Sequence, residues 1–180
     1  MSKRVLVAAP RSFCAGVVRA IDIVEKLLEA HGPPVYVRHQ IVHNVHVVRD
    51  LEERGAIFVE TEEEVPEGAL VVLSAHCVAP QVYPKCEERN LEVIDATCPL
   101  VSKVHAEARR YAGRGLKIAL VGHEAHEEVV GTMGEAPDAM VLVETVDDVA
   151  GLEIEDDQQV AYLTQTTLSV DDTTDVVDAL

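Results

Sequence analysis

"VLVAAPRSFCAGVVRAIDIVEKL" occupies residues 5–27 and "VIDATCPLVSKVHAEARRYA" occupies residues 93–112. Each reads as an apolar strand, a short turn, a cysteine and then an amphipathic helix. The identity between the two is weak, but the order of parts is the same. It predicts two similar α/β lobes, residues 1–97 and 98–180, with the boundary falling near residues 95–98. In both stretches the cysteine, Cys14 or Cys98, stands at the carboxyl edge of a strand, the edge where open α/β sheets place ligands. Free N–H groups and the dipole of the following helix favour a thiolate there, and a thiolate suits a metal or an electrophile. A free cysteine is also commonly no more than a small buried residue, and position alone leaves both readings open.

The rest of the chain continues the alternation. Further apolar runs are "PVYVRH", "AIFVE", "ALVVLSAH", "LEVIDAT", "KIALVGH", "AMVLVE" and "QVAYLTQ", and helix-like segments such as "NVHVVRDLEERG" lie between most of them. Gly32, Gly55 and Gly115 mark helix ends, and Pro99 fits a first helical turn. This pattern predicts mainly parallel sheets flanked by helices. The last segment, "SVDDTTDVVDAL" (169–180), has Ser169 or Asp171 as a cap and stops while its face is still apolar, so a continuation is expected.

Composition narrows the function. Aromatic residues are 3% of the chain and Trp is absent, so the core must be built from Val, Leu, Ile and Ala. Thirty-two acidic against fifteen basic residues give a formal charge of −17, which argues against nucleic-acid binding, since phosphate neutralisation needs clustered Lys and Arg. No run is long enough to span a bilayer and the start lacks a signal peptide's apolar stretch, so a cytoplasmic protein is expected. Four cysteines without a C-x-x-C spacing point away from a disulfide framework or a zinc ribbon. Thiolates from distant loops fit an iron–sulfur cluster better.

Histidines gather where strands should end: His43 in "VHN", His76 in "SAHC" and His126 in "GHEAHEEVVGT". Imidazoles donate hydrogen bonds to phosphate oxygens and titrate near physiological pH. Glu128, two residues after His126, could act as a proton donor if desolvated, or be one more solvated acid in an acidic loop. Thr166 and Thr167 in "TQTTLS" offer hydroxyls to a ligand oxygen, or serve as ordinary helix caps.

The set "FCAGV", "YVRHQIVHN", "GAIFVE", "SAH", "DATCPLVSKVH", "GHEAHEEVVGTMGEAP" and "TQTTLSVDDT" resembles the 4-hydroxy-3-methylbut-2-enyl diphosphate reductases of the LytB/IspH family, in order and over nearly the whole chain. The resemblance implies three similar α/β units around a [4Fe-4S] cluster held by one cysteine from each. It also implies two electrons from a ferredoxin- or flavodoxin-like donor, and loss of the substrate hydroxyl to give isopentenyl and dimethylallyl diphosphate. By motif, Cys14 and Cys98 would be cluster ligands. His43, His76 and His126 would surround the diphosphate and the hydroxyl. Glu128 would supply protons, Thr166 would relay them, and Thr167 would stand beside it.

This sequence departs from the family pattern in several places. The third unit, with its cysteine and its Ser-x-Asn diphosphate loop, is missing. Ser12, Cys77 and Ala125 stand where the family has glycine, and Val18 where an Asp is common. Glycines at such loops usually admit positive φ or close ligand approach. Cys77 is therefore a candidate substitute for the missing third ligand, with Cys86 a weaker one. The alternatives to a working reductase are a diphosphate- or metal-binding relic without turnover and an inactive fragment of such an enzyme. Apolar surface left by the missing unit would favour self-association.

Overall fold

Among the described residues seven apolar runs form strands, and every strand pair is parallel. The structure, a computed structural model, describes residues 4–9, 11–154 and 158–180. The first sheet contains β1 (Val35–Arg38), β2 (Ala56–Val59), β3 (Leu70–Leu73) and β4 (Glu92–Asp95) in the order β2-β1-β3-β4. The second contains β5 (Lys117–Val121), β6 (Met140–Val143) and β7 (Val160–Thr164) in the order β6-β5-β7. The connecting helices are α1 (Ala15–His31), α2 (Val45–Glu53), α3 (Val82–Glu88), α4 (Pro99–Ala112), α5 (Glu127–Glu135), α6 (Val146–Ala150) and α7 (Val170–Ala179).

The first sheet is covered on both faces, as a parallel sheet requires. Ala20, Val24 and Leu28 recur every four residues on α1 and pack with Val35, Val37 and Val72. Val71 and Leu73 point the other way, into a cluster with Val82 and Cys86 of α3. In the second sheet Ile118 and Leu120 pack against Ala108 of α4 and Val129 of α5, while Ala119 and Val121 meet Val176 of α7. Each fully buried Val, Leu or Ile contributes about 1.5–3 kcal/mol of transfer free energy, so these small aliphatic layers hold the sheets without aromatic residues.

Two expectations need correction. The run "RVLVAA" (4–9) forms no strand; Val5 and Leu6 are 82% and 80% exposed. A strand satisfies its backbone only against a neighbour, and among the described residues none lies beside this run. Cys14 therefore does not follow a paired strand as Cys98 does. The polar segment around Cys86 is the short helix α3, and Cys86 is wholly buried in the core. Ser169, not Asp171, caps α7, exchanging hydrogen bonds with Asp172. No helix among the described residues is long and apolar enough to cross a membrane.

Candidate active site

His43 follows β1, His76 follows β3 and His126 follows β5, so each imidazole stands beyond the carboxyl end of its strand. The three converge. His43 stacks on His76 with ring centroids 4.2 Å apart, and His126 stands edge-on to both at 5.6 Å. Local structure fixes each one. Ile41 and Val42 are buried, and the Asn44 side chain accepts the His46 and Val47 N–H groups to cap α2, so residue 43 is held between an anchor and a cap. The Ala75 N–H donates to the Ile41 carbonyl at 3.4 Å, joining the His43 and His76 loops. His126 is the cap of α5: its Nδ1 accepts the Glu128 N–H at 3.1 Å, which leaves Nε2 of the neutral ring as the protonated nitrogen.

Burial, reinforced by His43, pushes the His76 pKa down to about 4 against the opposing pull of Glu127. Burial also lowers that of His126, again with His43 adding to the effect. Glu127 lies beside this cluster. Its Oε1 is 3.0 Å from Nδ1 of His39 and its Oε2 is 3.8 Å from Nδ1 of His76. Burial alone would raise the Glu127 carboxyl, but the His39 hydrogen bond and the surrounding imidazoles outweigh it and hold the group low.

Glu128, by contrast, is an acid kept ready to hold a proton. It is 1% exposed, and burial raises its pKa even though two hydrogen bonds from Thr166 work the other way. Those bonds run from the Thr166 N–H to Oε1 at 2.6 Å and from Thr166 Oγ1 to Oε2 at 3.0 Å. Gln165 steadies the same turn: its Oε1 accepts the His123 N–H and its Nε2 donates to Thr167 Oγ1 at 2.6 Å. The Thr167 hydroxyl therefore keeps its own proton free to donate.

Cys14 and Cys98 cap α1 and α4. A Cβ on Gly16 would lie 2.6 Å from Sγ of Cys98 and 3.9 Å from Sγ of Cys14, so both sulfurs face this one glycine. Arg19 of α1 donates to the Thr97 carbonyl at 3.0 Å, tying the two turns together. The Cys98 N–H donates to the carbonyl of Ala75, next to His76, at 2.9 Å. Two soft donors at helix starts suit iron in kind. Among the described residues no group of three or more His, Cys, Asp or Glu side chains is placed to hold a metal ion.

Cys77 does not join this pair. Its backbone has φ of 72°, the left-handed conformation that the glycine comparison anticipates. Its thiol lies 3.0 Å from Nε2 of His105, whose Nδ1 is 2.7 Å from Glu135. Burial and the surrounding carboxylates push this thiol far up, which keeps it protonated. Sequence reasoning missed this Cys77–His105–Glu135 chain and the His39–Glu127 pair. The only sequence signal for the second was an acid lying between two site residues, His126 and Glu128.

Comparison with known proteins bears on these residues together. A family model described as LytB protein matches residues 5–180. The 4-hydroxy-3-methylbut-2-enyl diphosphate reductase of Acidothermus cellulolyticus is 61% identical over 178 residues, which cover 99% of this chain and 52% of that protein. The corresponding reductase of Streptomyces coelicolor is 60% identical, with 99% and 53% covered. The chain thus spans about half the length of these curated relatives. Among solved structures, the E-1-hydroxy-2-methyl-but-2-enyl-4-diphosphate reductase from Plasmodium falciparum superposes with a TM-score of 0.93 at 45% identity, over 96% of this chain and 54% of that one. A structure of (E)-4-hydroxy-3-methyl-but-2-enyl diphosphate reductase gives 0.81 at 32% identity, over 97% and 62%.

Proposed function

This chain belongs to the LytB family, and from that premise we propose that it supplies the anion-binding and acid–base groups of a cytoplasmic reductase. The reaction removes the hydroxyl of 4-hydroxy-3-methylbut-2-enyl diphosphate, giving isopentenyl and dimethylallyl diphosphate. The observation that carries this reading is the meeting of three imidazoles from both sheets beside a buried Glu128–Thr166 pair. His43, His76 and His126 bind the diphosphate and orient the hydroxyl.

The hydroxyl leaves as water only if it receives a proton. Protonated Glu128 donates from Oε2 to Thr166 Oγ1, and the Thr166 hydroxyl passes its own proton to the ligand oxygen. The Thr167 hydroxyl, relieved of its acceptor duty by Gln165, holds the same oxygen or its neighbour. Cys14 and Cys98 would hold an iron–sulfur cluster, which when bound supplies Lewis acidity and two electrons from a ferredoxin- or flavodoxin-like donor. We read residues 1–97 and 98–180 as the two units that present these groups. The exposed Val5, Leu6 and Val7 favour self-association.

The test is Glu128→Gln in an anaerobic, reductant-coupled assay of the reconstituted protein. Turnover should fall about 10²-fold or more while substrate binding by calorimetry stays within a factor of about two, because acid and amide share a shape but only the acid gives up a proton. An unchanged rate would reject the role of Glu128.

A further inference from the structure

Glu127 begins α5 between His126 and Glu128, and it reaches across to two histidines of the other sheet. Its two oxygens are not equivalent. Oε1 takes the hydrogen bond from Nδ1 of His39, which leaves β1 with φ of 58°. Oε2 is buried without a hydrogen-bond partner among the described residues, and so is Nδ1 of His76. These two unpartnered atoms face each other at 3.8 Å.

A neutral imidazole must present either a proton or a lone pair at that nitrogen. A lone pair pointed at a carboxylate oxygen is repelled, whereas an N–H is attracted, and the attraction is strengthened where water is excluded. We propose that Glu127 is a positioning residue that holds His76 in its Nδ1–H form, so that Nε2 offers a lone pair to a ligand. His126 is set the opposite way, since its Nδ1 already accepts the Glu128 N–H and its Nε2 carries the proton. The cluster thus pairs one acceptor nitrogen with one donor nitrogen. That combination fits a ligand bearing a hydroxyl as well as phosphate oxygens. This last step rests on the anion-binding reading above; the tautomer assignment itself does not.

The experiment is a long-range ¹H–¹⁵N spectrum of ¹⁵N-histidine-labelled protein near neutral pH, which reports which ring nitrogen of each histidine is protonated. The wild type should show His76 protonated at Nδ1 and His126 at Nε2. In Glu127→Gln the single carbonyl oxygen should stay with His39, turning the amide N–H toward His76. The two His76 nitrogens then exchange their shifts while those of His126 stay, a change that mere loss of packing would not produce. Glu127→Ala, lacking any acceptor, should give the same exchange. A His76 protonated at Nε2 in the wild type, or unchanged in both variants, would overturn the inference. Titration with inorganic diphosphate separates the two readings, because failure of the wild type to bind removes the anion site and leaves the tautomer result standing.

Discussion

Cys14 caps α1 with its own sulfur, which accepts the Val17 N–H at 3.4 Å, and it is exposed. Cys98 caps α4 without a side-chain bond and is held by what precedes it. The Ala96 N–H donates to the Leu73 carbonyl, the Cys98 N–H to that of Ala75, and Asp95 accepts the Thr97 N–H. The two turns share one sequence logic but differ in support. A helix start is made locally, from a cap and the next few amides, so it forms wherever the motif occurs. The strand leading into it is made by a partner distant in sequence, and β4 has β3 while residues 4–9 have none among the described residues.

Hydrogen exchange should show the largest contrast. The amides of Ala96 and Cys98, bonded to β3 and its loop, should exchange at least about 10³-fold more slowly than those of Val5, Leu6 and Val7. Slow exchange of residues 5–7 in dilute protein would end the comparison. Protection that appears there only as concentration rises would reveal copies associating through this stretch.

The same contrast explains what could be read in the sequence. Apolar runs marked seven strands because each is flanked by helices that cover it, and the starts of α1 and α4 were legible from local chemistry, whereas Ser169 and Asp171 stayed alternatives for the cap of α7. The 4–9 run has the same composition as its neighbours, so nothing in it signals a missing partner. The convergence of His43, His76 and His126 was legible because parallel strands carry their ends to one edge. The direction of the Cys77 thiol was not, since a left-handed turn re-aims the side chain toward α4. Glu127 was hidden for a different reason: in a chain with this many acids, one carboxylate looks like another until burial is known.

A smaller effect should sharpen the comparison at the point where the two turns meet. Gly16→Ala places a methyl 2.6 Å from Sγ of Cys98, so that sulfur must rotate away. Replacing glycine within a helix otherwise adds up to about 1 kcal/mol. Thermal stability should therefore hold or rise slightly, while iron retained after anaerobic reconstitution falls about tenfold, the scale of change when a ligand is misaligned. Equal iron in both proteins would show that the sulfurs do not act as a pair. A loss of fold would show that the turns are coupled more strongly than the Arg19–Thr97 bond suggests.

The smallest effect belongs to Cys77, in the well-supported part of the molecule. Its left-handed backbone costs roughly 1–2 kcal/mol for a residue with a side chain. Removing the thiol also deprives Nε2 of His105 of its partner, at about 1–3 kcal/mol for a buried group. The cleft of about 340 Å³ lined by Cys77, His105 and Glu135 lets water recover part of that. A Cβ on Gly131 would run into Sγ of Cys77, so the sulfur fills the space this glycine leaves. Both Cys77→Gly and Cys77→Ala should thus lower stability, but not equally. Glycine relieves the backbone strain and loses about 0.5–1 kcal/mol to the greater freedom of the unfolded chain, whereas alanine keeps the strain and gains nothing. The glycine variant should therefore be the more stable of the two by about 0.5–1 kcal/mol, the reverse of the usual order. Denaturant midpoints would show it, and an alanine variant more stable than the glycine one would mean that the turn at Cys77 is not strained.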